Sequence, residues 1–140
     1  MLTIARCVST WFLAVTILTL AGCSTHSTQP VNGKVVYSDG SPATDLVGHI
    51  ISFDCPEHNA GASGVVKADG TFKVGTYTDD DGAMPGVHRV AISPPEPPVD
   101  APVPLRLIDK KYGDMATSGL EVEIVSGTNE VTLTVERAKH

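Results

Sequence analysis

Aromatic residues are scarce in this 140-residue chain: 3 Phe, 3 Tyr and a single Trp, 5% in all. The Trp is Trp11, close to the N-terminus. Positive charge is short too, with 10 Lys and Arg against 16 Asp and Glu and a net charge of −6. A nucleic-acid partner requires a basic face, so that class is set aside. Cysteine is limited to Cys7, Cys23 and Cys55. No stretch shows the apolar spacing of a three-turn amphipathic helix. A chain of this length holds one domain. What is plentiful is punctuation, with 13 Gly and 10 Pro.

The first 22 residues stand apart. Arg6 is their only charge, and residues 8–22 carry none. A basic start, an apolar run and small residues at its end describe a secretory signal peptide. A spanning helix needs about 20 apolar residues. Here the block also holds Ser9, Thr10, Thr16 and Thr19, so a permanent span is the weaker reading. Leu20-Ala21-Gly22-Cys23 resembles the lipobox of bacterial lipoproteins. In that family the Cys sulfur takes a diacylglyceryl group, the chain is cut before it, and the new amine is acylated. The simpler alternative is an ordinary secretory signal with a chance Cys. Acyl chains contribute about 0.8 kcal/mol per buried CH₂, so several of them anchor a protein durably. Ser24 after the Cys resembles the outer-membrane sorting pattern of diderm lipoproteins.

Three segments are expected: a lipoprotein signal peptide at 1–22, the lipidated Cys23 with a tether at 23–30, and a domain at 31–140. Cleavage would leave 118 of the 140 residues and, with Arg6 gone, shift the charge from −6 to −7. Residues 24–30 are small and polar and read as a flexible tether, at most about 23–25 Å long when extended. Cys55 would be the last thiol, so no internal disulfide is available and the core alone must hold the domain.

Beyond the tether, β-type runs alternate with turn signals. Strands are expected at 31–37, 46–55, 65–68, 71–74, 87–93, 120–125 and 130–135. Within the second, Ile51 and Phe53, with His49, are expected to face the core. Asp69-Gly70 between β-rich runs signals a hairpin. Residues 126–129 predict a second, closing hairpin, with Val122 and Ile124 facing inward opposite Val131, Leu133 and Val135. Residues 94–104 hold six prolines and cannot join a sheet interior. Residues 105–118 allow either a short edge strand or a helical turn around Asp109-Lys110-Lys111-Tyr112. About seven short strands without a long helix predict an all-β, antiparallel β-sandwich. Lys34, Lys73, Glu121, Glu123 and the proline-rich segment are expected to guard its edges.

The run Val31-Asn32-Gly33-Lys34-Val35-Val36-Tyr37 with Asp39-Gly40-Ser41-Pro42 resembles the opening of the carboxypeptidase-regulatory-like, transthyretin-like sandwich. So do Ile50-Ile51-Ser52-Phe53, Ala68-Asp69-Gly70-Thr71-Phe72 and Pro85-Gly86-Val87-His88-Arg89-Val90. Lys111-Tyr112-Gly113-Asp114, Thr117-Ser118-Gly119-Leu120 and Gly127-Thr128-Asn129 are similar to small lipoproteins abundant in planctomycete bacteria. The resemblance covers most of residues 31–135. It implies a non-catalytic module and transfers no functional residue, since in carboxypeptidases the related domain sits beside the enzyme domain.

Several residues invite chemistry. Asp54-Cys55-Pro56-Glu57-His58 places four ligand types in five residues, and a thiolate and an imidazole three apart suit a soft metal or an activated nucleophile. A structural zinc site needs four ligands, and no second pair is evident. The plainer reading is a small apolar Cys closing a strand before a polar turn. Asp79, Asp80 and Asp81 with Gly82 suggest calcium. An EF-hand frame would put Tyr77 first and His88 twelfth, which fails; a solvated acidic loop is the plainer reading. Gly61-Ala62-Ser63-Gly64-Val65 lacks the fifth glycine of a nucleophile elbow and leads into a strand. Tyr77 and Tyr112 lie in loop-like contexts and are the candidate surface aromatics; Tyr37 reads as core or edge packing. His26, His49, His58, His88 and His140 form no cluster in sequence.

The expectation is a non-enzymatic cell-envelope lipoprotein without a cofactor, a structural or protein-interaction module. It would be anchored through Cys23, most simply to the outer membrane, and would contact an envelope protein or a cell-wall component. The alternative is a small-ligand module taking a glycan or Ca²⁺ through the loops at Tyr77 and Asp79 to Asp81.

Overall fold

A computed structural model describes residues 27–139. The signal segment and Cys23 lie outside them. Seven strands form: β1 (Val31–Tyr37), β2 (Ile50–Cys55), β3 (Ala60–Val65), β4 (Thr71–Lys73), β5 (Gly86–Ser93), β6 (Leu120–Ile124) and β7 (Asn129–Val135). Two 3-10 turns, Thr44–Leu46 and Lys110–Gly113, are the only helical pieces among the described residues. The strands make two sheets, β4-β1-β7 and β3-β2-β5-β6.

Period-two burial drives the arrangement. On β1 the residues Val31, Val35 and Tyr37 face inward, and on β7 Val131, Leu133 and Val135 do the same. Ile51 and Phe53 of β2, with Val90 and Ile92 of β5, close the core from the other sheet. His49, Ile51 and Phe53 are buried as their alternation predicts.

The inner side of β1 is shaped by one close approach. Gly33 pairs with Phe72 across β1 and β4, and the Phe72 ring lies over Gly33. A Cβ at Gly33 would sit 2.0 Å from Phe72 Cζ. Glycine is therefore the residue that lets the largest side chain of β4 reach the core.

Three pairings differ from expectation. β1 and β7 run parallel, from Val31 beside Asn129 to Tyr37 beside Val135, whereas every other strand pair is antiparallel. β6 pairs with β5 and β7 with β1, so residues 125–128 carry the chain from one sheet to the other and do not form a closing hairpin. The Asp69-Gly70 turn does form, with the Gly70 N–H donating to Lys67 O (2.9 Å) and the Lys67 N–H to Thr71 O (2.7 Å). Yet β3 and β4 then enter different sheets. They meet again at Ser63 and Gly75, which exchange backbone bonds of 3.0 and 2.9 Å.

Three boundaries also move. β3 runs over Ala60–Val65, so of the strand expected at 65–68 only Val65 lies in it, and residues 66–70 form the turn that follows. Residues 46–49 are not strand: the Thr44–Leu46 turn and Gly48, at φ +85°, precede β2. Of the alternatives for residues 105–118 the helical turn forms, at Lys110–Gly113, and in place of an edge strand there is an isolated Ile108–Arg137 bridge. Lys73, Glu121 and Glu123 lie on the edge strands β4 and β6, but Lys34 lies on the central β1 and guards no edge.

The strand directions define two ends. At one, Gln29 enters the fold and exchanges bonds with Ala83 (2.8 and 3.1 Å), and its side-chain oxygen accepts the Gly127 N–H at 2.7 Å. Gly82, at φ +96°, permits this, because a Cβ there would lie 1.9 Å from Gln29 O. Turns 56–59, 76–84 and 125–128 share this entry end. Turns 38–42 and 67–70 and the proline-rich segment 94–104 share the opposite end.

Candidate functional site

The acidic loop at the entry end is organised around one of its own carboxylates. Asp81 accepts the N–H groups of Thr76 (2.6 Å), Tyr77 (3.2 Å) and Thr78 (3.3 Å). Thr76 Oγ1 donates to Gly82 O at 2.8 Å and fastens the loop base. Asp81 thus serves as an internal cap and is already hydrogen-bonded on both oxygens. Asp79 and Asp80 stay exposed beside Tyr77, which is 67% exposed. Among the described residues no three His, Cys, Asp or Glu side chains are grouped to hold a metal ion.

Tyr112 is not a surface aromatic. It is 4% exposed and belongs to the core. The Lys110–Gly113 turn rolls its ring inward, and its hydroxyl accepts the Glu136 N–H at 3.1 Å. Asp109 caps that turn by accepting the Lys111 N–H at 3.0 Å. A loop position with a helical turn buries one side chain per turn, which strand alternation does not anticipate.

The Cys55–His58 segment is a strand end followed by a tight turn. Cys55 is fully buried and its thiol is free. The His58 N–H donates to Cys55 O at 3.3 Å, leaving the His58 side chain exposed. Gly86 is the point on which Cys55, Glu57 and His58 converge: a Cβ there would lie 3.1 Å from Cys55 Sγ and 3.4 Å from Glu57 Oε2. Asp54 is engaged elsewhere, in an exposed ion pair with Arg89 at 2.7 Å. Ser63 is exposed on β3, in a strand and not at an elbow.

Two buried histidines have other settings. His88, 1% exposed, holds Met84 O through Nε2 at 2.8 Å and meets the Phe53 ring edge-on at 5.7 Å. His49 lies under the Thr44–Leu46 turn, and burial pushes its imidazole below its ordinary value of 6.5. The Nδ1 atoms of both lack hydrogen-bond partners.

Two groupings were not visible as sequence motifs. The first joins Tyr37, Asp45 and Arg137. Tyr37 Oη donates to Asp45 Oδ1 at 2.6 Å, Arg137 Nη1 donates to Asp45 Oδ2 at 3.1 Å, and the guanidinium stacks 3.6 Å from the Tyr37 ring centre. Burial and the bond to Asp45 push the Tyr37 phenol up. Burial raises the Asp45 carboxyl, but the bonds from Tyr37 and Arg137 outweigh it and the net direction is down. This is a clasp holding the end of β1 to the Thr44–Leu46 turn and the C-terminal segment.

The second is basic. Lys34, Lys67 and Lys73 surround a concavity of about 380 Å³ on the outer face of β4-β1-β7, with Asn32, Thr71 and Thr132 between them. The alternation along β1 puts Lys34 outward, but only the β1–β4 register brings Lys73 to its side.

No protein family model, curated protein or solved structure matches the chain.

Proposed function

We propose that this chain is a non-catalytic display module of the bacterial cell envelope, a lipoprotein of the carboxypeptidase-regulatory-like, transthyretin-like kind. In this reading Cys23 carries the lipid, and a partner protein docks on the proline-rich segment 94–104. The observation that carries the reading is the separation of the two ends. The chain enters at Gln29, bonded to Ala83 and Gly127, and the proline-rich segment leaves β5 at the opposite end.

A tether from Cys23 to Gln29 reaches about 20 Å. It keeps the entry end, with Tyr77, Asp79 and Asp80, nearest the lipid. The far end then points away from the membrane. There Val99 and Val103, 92% and 90% exposed, stand among prolines. The segment turns at Val99–Asp100, where the Ala101 N–H donates to Pro98 O at 3.0 Å, and prolines restrain the chain on both sides, so a partner orders little chain when it binds Val99 and Val103. Segment 94–104 is absent from the core, so it is free to serve a partner without loss of packing.

The test uses the lipoprotein in its own cells. A photo-crosslinking residue replaces Val99 or Val103 in one set and Tyr77 in another. The expected result is one discrete protein adduct from positions 99 and 103 and none from 77. Equal capture at all three, or none at 99 and 103, overturns the reading. The anchor has a separate check: Cys23→Ala should abolish fatty-acid labelling and release the protein from the membrane fraction.

A further inference from the structure

The chain is acidic, at −6, yet three of its 10 Lys and Arg residues face one concavity on the β4-β1-β7 sheet. Lys34 lies opposite Thr71 and Lys73 opposite Asn32, so the two lysines are diagonal neighbours across β1 and β4. Diagonal positions are about 7–8 Å apart at the backbone. Lys67 joins them from the adjoining turn, where its N–H donates to Thr71 O at 2.7 Å. All three side chains are exposed.

These lysines form no ion pair among the described residues. The ion pairs there are Arg89–Asp54, Lys111–Glu136 and Arg137–Asp45. Glu130 lines the same hollow and Asp69 lies near Lys67, and each carboxylate is hydrogen-bonded to a neutral neighbour. Glu130 Oε1 accepts Asn32 Nδ2 at 2.9 Å, and Asp69 Oδ1 accepts the Thr71 N–H and hydroxyl at 3.0 and 2.6 Å. Asp79 and Asp80 lie in the neighbouring groove that shares Lys67 and Lys73, but neither forms an ion pair with them. Like charges within a Debye length of about 8–10 Å repel one another, so the patch gains from an anionic occupant.

We infer that this concavity binds the oxyanion groups, phosphate or carboxylate, of an anionic polysaccharide. Flexible ammonium groups act as point charges, and unlike a guanidinium fork they impose no fixed geometry. Three of them around one hollow suit a chain whose charges recur. Between the lysines, the Thr132 hydroxyl and the oxygens of Thr71 and the Asn32 amide suit sugar hydroxyls as donors. The surface is concave, which favours a polymer strand over a flat bilayer. This inference does not depend on the lipid anchor or on segment 94–104, and its failure would leave both untouched.

The experiment takes the full chain, purified in a zwitterionic detergent, and titrates it with polygalacturonate, a phosphorylated mannan and neutral dextran. Saturable binding of at least one charged polymer is expected, with none for dextran. The stronger of the two polymers identifies the oxyanion. Raising salt from about 50 to about 300 mM should weaken it. The variant Lys34→Gln/Lys67→Gln/Lys73→Gln should bind at least tenfold more weakly at an unchanged thermal midpoint. Arg106→Gln/Lys110→Gln/Lys139→Gln makes the same charge change on exposed residues elsewhere and should bind as the parent does. Equal weakening in both variants, or no binding of either charged polymer, overturns the site. So does a lysine-dependent preference for anionic over zwitterionic vesicles without polysaccharide binding, which would make the patch a membrane contact.

Discussion

A methyl group on Gly33 has nowhere to go, because Phe72 Cζ, Cε1 and Cε2 all lie within 2.4 Å of where it would be. Both residues sit in the same antiparallel pair, so neither strand can retreat without breaking the sheet. Gly33→Ala should cost about 1–3 kcal/mol by overpacking, read as a fall in the urea midpoint. Adding Phe72→Leu should return part of that loss, although Phe72→Leu alone destabilises. If the second change worsens the first additively, the ring contact is not the cause. His49 gives a second residue-scale expectation, in pH. Its imidazole is held below 6.5 in the fold by burial, while in the unfolded chain it takes a proton near that value. Between the two values the unfolded state binds more protons, so stability rises with pH there. The contribution is full above about 6.5 and is lost as pH falls through the folded value. Thermal midpoints measured from pH 7.5 down to 5.5 should fall, and fall less in His49→Leu. Parallel curves for the two proteins would remove His49 as the source.

At the scale of elements, the Tyr37–Asp45–Arg137 clasp fastens the Thr44–Leu46 turn to the ends of β1 and β7, which pair at Tyr37 and Val135. Asp45→Ala leaves the buried Tyr37 hydroxyl without its acceptor and Arg137 without its ion. The pair with Arg137 is partly exposed, so solvent screens that share. The expected loss is about 1–2 kcal/mol, most of it from the Tyr37 bond. Denaturant unfolding of Asp45→Ala, Arg137→Ala and the double variant would show it, with Arg137→Ala the milder single change. The elements also mark how far the sequence could be read. Alternation on β2, β6 and β7 identified the inward residues correctly, because a half-buried strand must repeat every two residues. It could not identify neighbours. The turns at 67–70 and 126–128 reverse the chain, but a reversal can stay within one sheet or cross the core, and the local chemistry of Gly and Asp serves both. Asn129 shows the crossing kind: its side chain accepts the Val125 N–H at 3.0 Å and donates to Val125 O at 2.9 Å, holding the link between sheets. The same blindness hid the lysine patch, whose members are 33 residues apart in numbering at Lys34 and Lys67 and meet only through the β1–β4 register. Tyr112 was missed for the reverse reason, since a single helical turn has too few residues to show a period.

For the whole molecule, the parallel pairing of β1 with β7 dominates. β1 sits between β4, only three residues long, and β7, which matches all seven of its positions. Removing residues 129–139 should therefore abolish the cooperative unfolding transition rather than trim a tail. Near-native thermal unfolding of the shortened chain would contradict this. Closure over such a sequence separation also implies slow folding relative to helical domains of similar size.

The β1–β7 bond carries a consequence for synthesis. β1 is the first described strand to leave the ribosome, and its main partner is the last. While the C-terminal segment is still being made, the sheet cannot close on itself. The chain thus stays loose along most of its length, and it locks only once its final strand is complete. The delay is written into strand order.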